Sequence, residues 1–270
     1  MEVKKVNRIL IGSGNNKIEK LVDDEIIVNI DYDCNILINN NSNIKKYIFN
    51  IKDAKVNILN LREKDSSKVY NLNIKKGTVS FNSVSYSSDG FNMKVDLNDI
   101  NSSIVFYNSV IAIDKSTYDI KVNHYSSNTM SNIYNNGVTK ENGTIKFNVS
   151  SSVPKKSVNS NVNQDSKIIV LNDKNNNEIN PVLLIEEYES SARHAAFIGN
   201  FNKEELFYLM SRGLSKKEAS DLLIRGLLIG TLDVCFNEKE ILNKKLNEEW
   251  RWLIWILKRI FLCLIKVLYI

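Results

Sequence analysis

The chain has 270 residues, 43% hydrophobic and 25% charged, enough for one large core or a core with a small helical module. Its formal net charge of +5 is mild, and no basic stripe with interleaved aromatics is present, so no nucleic-acid partner is expected. Asn, Ser and Lys dominate the polar positions and are read as compositional background rather than as function.

In chain order, the first apolar run, Ile9-Leu10-Ile11, leads into Gly12-Ser13-Gly14-Asn15-Asn16-Lys17. This is not a dinucleotide fingerprint: Lys17 stands where the third glycine belongs and no βαβ pattern follows, so a turn is the better reading. From there to about residue 185, apolar residues alternate with polar ones in short runs. They include Val56 and Ile58; Tyr70, Leu72 and Ile74; Val79 and Phe81; Phe91, Met93, Val95 and Leu97; Tyr118, Ile120 and Val122; and Ile145, Phe147 and Val149. Period-two alternation marks strands with one buried and one solvated face. Turn clusters such as 39–43, 75–77 and 87–90 separate them. Many short strands with no helical pattern between them fit a sandwich, a barrel or a solenoid, and no strict short repeat decides among the three.

The pattern changes near residue 200. Asn202 can cap a helix and Glu205 can complete a capping-box-like pair; that helix stops at Gly213. Ser215 with Glu218 forms a second capping box, opening a longer helix through Ala219, Leu222, Leu223 and Leu227 to Gly230. A third helical stretch is expected near Glu238. Residues 252–270 are nearly all apolar, broken by Lys258, Arg259 and Lys266, which with Arg251 recur along one side of a helix. A transmembrane span rarely carries such charges at its centre, so an amphipathic tail lying on a membrane or packing on a partner fits better; a buried C-terminal helix is the alternative.

Few residues offer chemistry. There is no GxxxxGK[ST] loop, no GxSxG elbow and no HExxH helix, so no catalytic residues are expected and the chain is read as a non-enzyme. Cys34, Cys235 and Cys263 stand far apart with no CxxC pair, which suits a reducing cytosol, and the N-terminus lacks the long apolar stretch of a secretory signal. Of the two histidines, His124 and His194, the second lies where the strand region meets the first helix. Taken alone, such a histidine is better read as a hydrogen-bonded structural residue. Cys235 precedes Glu238 by three residues, a spacing that on a helix puts thiolate and carboxylate on one face as a candidate metal pair; from the spacing alone, a buried cysteine acting as a small hydrophobe is the better reading. A β-solenoid carbohydrate-active or surface-binding protein is the alternative reading of the polar strands, yet they lack the clustered carboxylates a glycosidase needs.

His194-Ala195-Ala196-Phe197-Ile198-Gly199, followed by Glu205-Leu206-Phe207-Tyr208-Leu209-Met210-Ser211-Arg212-Gly213-Leu214, closely resembles the C-terminal signature of the SufB/SufD family. That signature reads approximately H-[GEA]-A-T-x-G, a short gap, then LFYLxSRG[IL]. The similarity continues through Glu218-Ala219 and Leu222 to Gly226. Upstream it includes His124 to Thr129, Asn142-Gly143 and Asn180-Pro181-Val182-Leu183. It covers about residues 120–240. The resemblance implies a mainly β fold, a right-handed parallel β-helix over 1–188, with a C-terminal helical domain at 189–250 that docks a SufC-like ABC ATPase; the apolar tail 251–270 is not a family feature. It also implies pairing with itself or with a SufB/SufD paralogue and transient assembly of an iron–sulfur cluster at the dimer interface. ATP would enter only through the partner ATPase, and a cysteine desulfurase or sulfur carrier only indirectly. Residue by residue, His194 matches an interface histidine, Glu238 falls where a carboxylate is implicated in assembly, and Phe207, Tyr208, Arg212, Gly213 and Leu223 fall in the ATPase-docking region. Leu209 departs from the pattern, because some SufB proteins carry a sulfur-accepting cysteine there; Cys235 and Cys34 are the substitutes to consider. The chain length points toward a SufD role or a minimal scaffold, in the cytoplasm.

Overall fold

The computed structural model describes residues 4–6, 9–11, 17–22, 24–39, 44–62, 67–86, 90–171, 176–230 and 232. Its strands are β1 (Lys4–Val6), β2 (Ile9–Ile11), β3 (Lys17–Val22), β4 (Glu25–Ile30), β5 (Cys34–Asn39), β6 (Lys46–Lys52), β7 (Lys55–Arg62), β8 (Lys68–Lys75) and β9 (Thr78–Tyr86). They continue as β10 (Gly90–Leu97), β11 (Ser103–Ala112), β12 (Lys115–His124), β13 (Met130–Thr139), β14 (Thr144–Val153), β15 (Asn161–Val170), β16 (Glu178–Ile185) and β17 (Ser191–Gly199). Two helices follow, α1 (Lys203–Ser211) and α2 (Lys216–Ile229).

From β4 onward, consecutive strands alternate between two sheets, and each strand pairs in parallel with the strand two places later. The chain is therefore wound into a β-solenoid, which settles the choice that alternation left open. The order β5-β7-β9-β11-β13-β15-β17 makes one wall and β4-β6-β8-β10-β12-β14-β16 the other. Antiparallel pairs occur at the N-terminal end, where β1 joins β2, β2 joins β5 and β3 joins β4.

Every apolar residue that the alternation assigns to the strand cores is buried between the walls. In-register winding stacks like on like: Tyr47, Tyr70, Phe91, Tyr118 and Phe147 form a column with ring centroids 5.1, 5.0, 5.8 and 5.4 Å apart. Each such pair adds about 0.5–1.5 kcal/mol to its area burial.

The outer face of the second wall carries a matching polar ladder. Asn50 donates to Asn29 at 2.7 Å, Asn73 to Asn50 at 2.8 Å, Asn123 to Asp96 at 2.7 Å, Asn148 to Asp119 at 2.7 Å and Asn180 to Asn148 at 2.9 Å. The asparagines set aside as compositional background thus tie one turn to the next. These links span 21, 23, 27, 29 and 32 residues. The turn lengthens along the solenoid, which is why no fixed period is visible in the sequence.

Ser191–Gly199, placed with the helices by its sequence, instead continues the first wall as β17. Apolar alternation is weak there because the strand has a neighbour on one side only. Beyond it, Ser215 and Glu218 make the expected capping box, and Asn202 caps α1 by accepting from the Glu204 amide. α2 lies on the outer face of the first wall, where Ile224 and Leu228 pack with Ile111, Val138 and Ile169. Ser109 Oγ also donates to the Leu228 carbonyl at 2.6 Å.

Candidate functional site

Among the described residues, nothing closes the solenoid at its C-terminal end. β16 and β17 are the last described strands of their sheets, so each presents a row of backbone N–H and C=O groups with no further strand among the described residues. Register fixes which side chains point inward. Phe147, Val149, Ser151 and Val153 pair with Ile179, Pro181, Leu183 and Ile185, while Val162, Gln164, Ser166 and Ile168 pair with Ala192, His194, Ala196 and Ile198. These eight terminal residues would be core in any earlier turn. Here Ile185 and Ile198 are 37% and 44% exposed. Among the described residues the solenoid therefore ends in a partly exposed cross-section of its own core, and of these eight side chains His194 is the titratable one.

His194 is exposed and stands directly above Gln164 in the next strand. Gln164 Nε2 donates to Ser151 Oγ at 2.8 Å and to the Val182 carbonyl at 3.3 Å, whereas its buried Oε1 accepts no hydrogen bond. On the outer face, Arg193 Nε donates to Asn163 Oδ1 at 2.8 Å, fastening β17 in register.

Beside this end stands the helical module. No residue of α1 is buried among the described residues, and Phe207 and Tyr208 are 73% and 56% exposed. Arg212, the C-cap of α1, lies over the Tyr208 ring at 5.2 Å and donates to its hydroxyl at 3.1 Å. Gly213 has φ +92°, a left-handed turn that releases the chain toward α2. Leu223 lines a cleft of about 390 Å³ with Asn202, Glu204, Glu205, Tyr208 and Leu209. The structure thus brings Tyr208 together with Arg212 and, across the cleft, with Leu223, while Phe207 is exposed next to it on α1 and Gly213 follows the end of that helix.

The other candidates fall elsewhere. Cys235, Glu238, the expected third helix and the tail 251–270 lie outside the described residues. Cys34 is half-buried on β5, and desolvation, with Asp33 nearby, pushes its thiol up to about 11. It is therefore a poor nucleophile at neutral pH. His124 is fully buried: Nδ1 is 2.8 Å from Thr129 Oγ1 and Nε2 2.8 Å from Ser131 Oγ, and burial lowers its pKa to about 4. It is a neutral structural residue. Among the described residues, no three His, Cys, Asp or Glu side chains gather as a metal site. No helix among them is long and apolar enough to cross a membrane.

Sequence reasoning missed the exposure of the last described turn and missed Gln164. Val182-Leu183-Leu184-Ile185 was the available signal, a run apolar on both faces where the other strands alternate.

These features define the architectural class: a two-walled parallel β-solenoid with a histidine on its last described strand and a pair of helices after it. Residues 29–227 match the family model for the SUF system FeS cluster assembly SufBD core domain, and the chain belongs to that family. It is similar to the iron-sulfur cluster assembly protein SufD of Bacillus subtilis, 33% identical over 111 residues, 41% of this chain and 25% of that protein. It is also similar to SufB of the same organism, 27% identical over 108 residues, 40% of this chain and 23% of that protein. A SufBD family protein of Staphylococcus saprophyticus is 26% identical over 108 residues, with the same shares. The aligned stretch spans about a quarter of the length of these curated relatives. Family membership ties the chain to iron–sulfur cluster assembly.

Proposed function

We propose that this chain is a non-catalytic scaffold subunit on which an iron–sulfur cluster is assembled as cargo. It pairs through its open end with a second copy or a SufB/SufD paralogue, and the helical module docks a SufC-like ABC ATPase. The observation that carries the reading is the last described turn: its core-facing Ile185 and Ile198 are exposed and, among the described residues, its two strand edges take no further strand, which suits a protein of matching shape. His194 supplies an imidazole ligand acceptable to iron, and the remaining ligands come from across the pairing surface or from 233–250, where Cys235 and Glu238 fall. In this reading ATP acts only through the ATPase, sulfur reaches the complex from a desulfurase or carrier, and the setting is the cytosol.

The support for ATPase docking is α1 itself. A nine-residue helix is marginal alone in water, and this one exposes an aromatic pair. Co-purification of the tagged full chain with a co-expressed SufC-like ATPase tests it. Replacing both Phe207 and Tyr208 by Ala is expected to weaken the complex by about 2 kcal/mol or more, roughly thirtyfold, as for aromatic hot spots. Undiminished capture by the double variant contradicts the docking surface.

A further inference from the structure

The geometry points to Gln164 as a positioning residue: its Oε1, unpartnered in the structure, takes the imidazole N–H of His194 once that side chain turns over it, and so aims the other ring nitrogen toward the open end. The inference rests on the reading that His194 meets iron. Gln164 is 1% exposed, and its amide orientation is set by its partners. The Val182 carbonyl can only accept, so nitrogen faces it, at 3.3 Å, and Ser151 Oγ takes the second amide hydrogen at 2.8 Å. That leaves Oε1 buried and without a donor.

The terminal turn offers one candidate. Of its inward residues, Ile179, Pro181, Leu183, Ile185, Ala192, Ala196 and Ile198 carry no side-chain donor, and His194 does. His194 is the Cα partner of Gln164 on the neighbouring parallel strand, about 4.8 Å away, within reach of a side-chain hydrogen bond. An N–H held this way fixes the tautomer and aims the lone pair of the opposite nitrogen outward, which is the support a metal-binding histidine requires.

Long-range 1H–15N correlation spectra of the 15N-labelled full chain read the tautomer directly, because His124 and His194 are the two histidines present. In mildly alkaline buffer, His194 is expected to show one fixed neutral tautomer in the wild type and in Q164E, which keeps the acceptor. In Q164M, which keeps the volume and loses the acceptor, its two nitrogen shifts should average. His124, held by Thr129 and Ser131, stays fixed throughout and reports an intact solenoid. An averaged His194 in the wild type or in Q164E, or a fixed one in Q164M, overturns the proposal. If Q164M does not fold, the wild-type and Q164E spectra decide. Iron carried by the ATPase complex separates the two claims. With the lock in place, Q164M lowers iron affinity by about 10–100-fold. If H194A keeps its iron while the lock is seen, the reading of His194 fails and the positioning stands; if H194A loses iron and the lock is absent, the reverse holds.

Discussion

At the residue scale, His124 and Gly143 show how little slack the solenoid interior has. His124 is neutral in the fold because burial holds its pKa near 4, against an ordinary value of 6.5. Between those values the unfolded chain takes up a proton that the folded chain refuses, so stability is lost as pH falls through that window. At about 1.4 kcal/mol per pKa unit, the loss is roughly 3 kcal/mol. Urea midpoints of wild type and His124→Gln are therefore expected to converge as pH drops from neutral toward 4; a gap independent of pH contradicts this. Gly143 follows the turn before β14, and a Cβ there would stand 2.1 Å from the Ala112 carbonyl oxygen. Gly143→Ala should cost about 1–3 kcal/mol, as overpacking does, read as a lower melting temperature. An unchanged melting temperature contradicts the tight approach.

At the element scale, the strands were legible because alternation is a local property, and the residues it assigns inward are buried as expected. Both helices were legible for the same reason: the Asn202 and Ser215 caps and the stop at Gly213 are written in adjacent residues. β17 was not, since its neighbour β15 lies some thirty residues earlier and its exposed face removes the alternation that betrays a strand. α2 is held by a small separate cluster, so Ile224→Ala should loosen the module by about 2–4 kcal/mol. Hydrogen exchange checks it: α2 amides are expected to exchange faster while β11 and β13 keep their protection. Equal loosening of both would mean that module and solenoid unfold as one unit.

At the scale of the whole molecule, the architecture follows from pairs 21 to 32 residues apart, and a lengthening turn hides such pairs from any search for a fixed period. The family signature supplied what periodicity could not. The site was only partly legible: His194 and the aromatic pair stand in that signature, whereas the exposure of the last described turn depends on which strands follow it in space. An edge of that kind is a liability for a monomer and an asset for a subunit. The central claim is that this edge, with His194, receives iron. Anaerobic co-expression with a SufC-like ATPase, followed by iron and absorption measurements on the purified complex, tests it most directly. The account predicts an iron-bearing complex whose iron is lost in His194→Ala while the ATPase remains bound. A complex that forms without iron, or one that keeps its iron in His194→Ala, contradicts it.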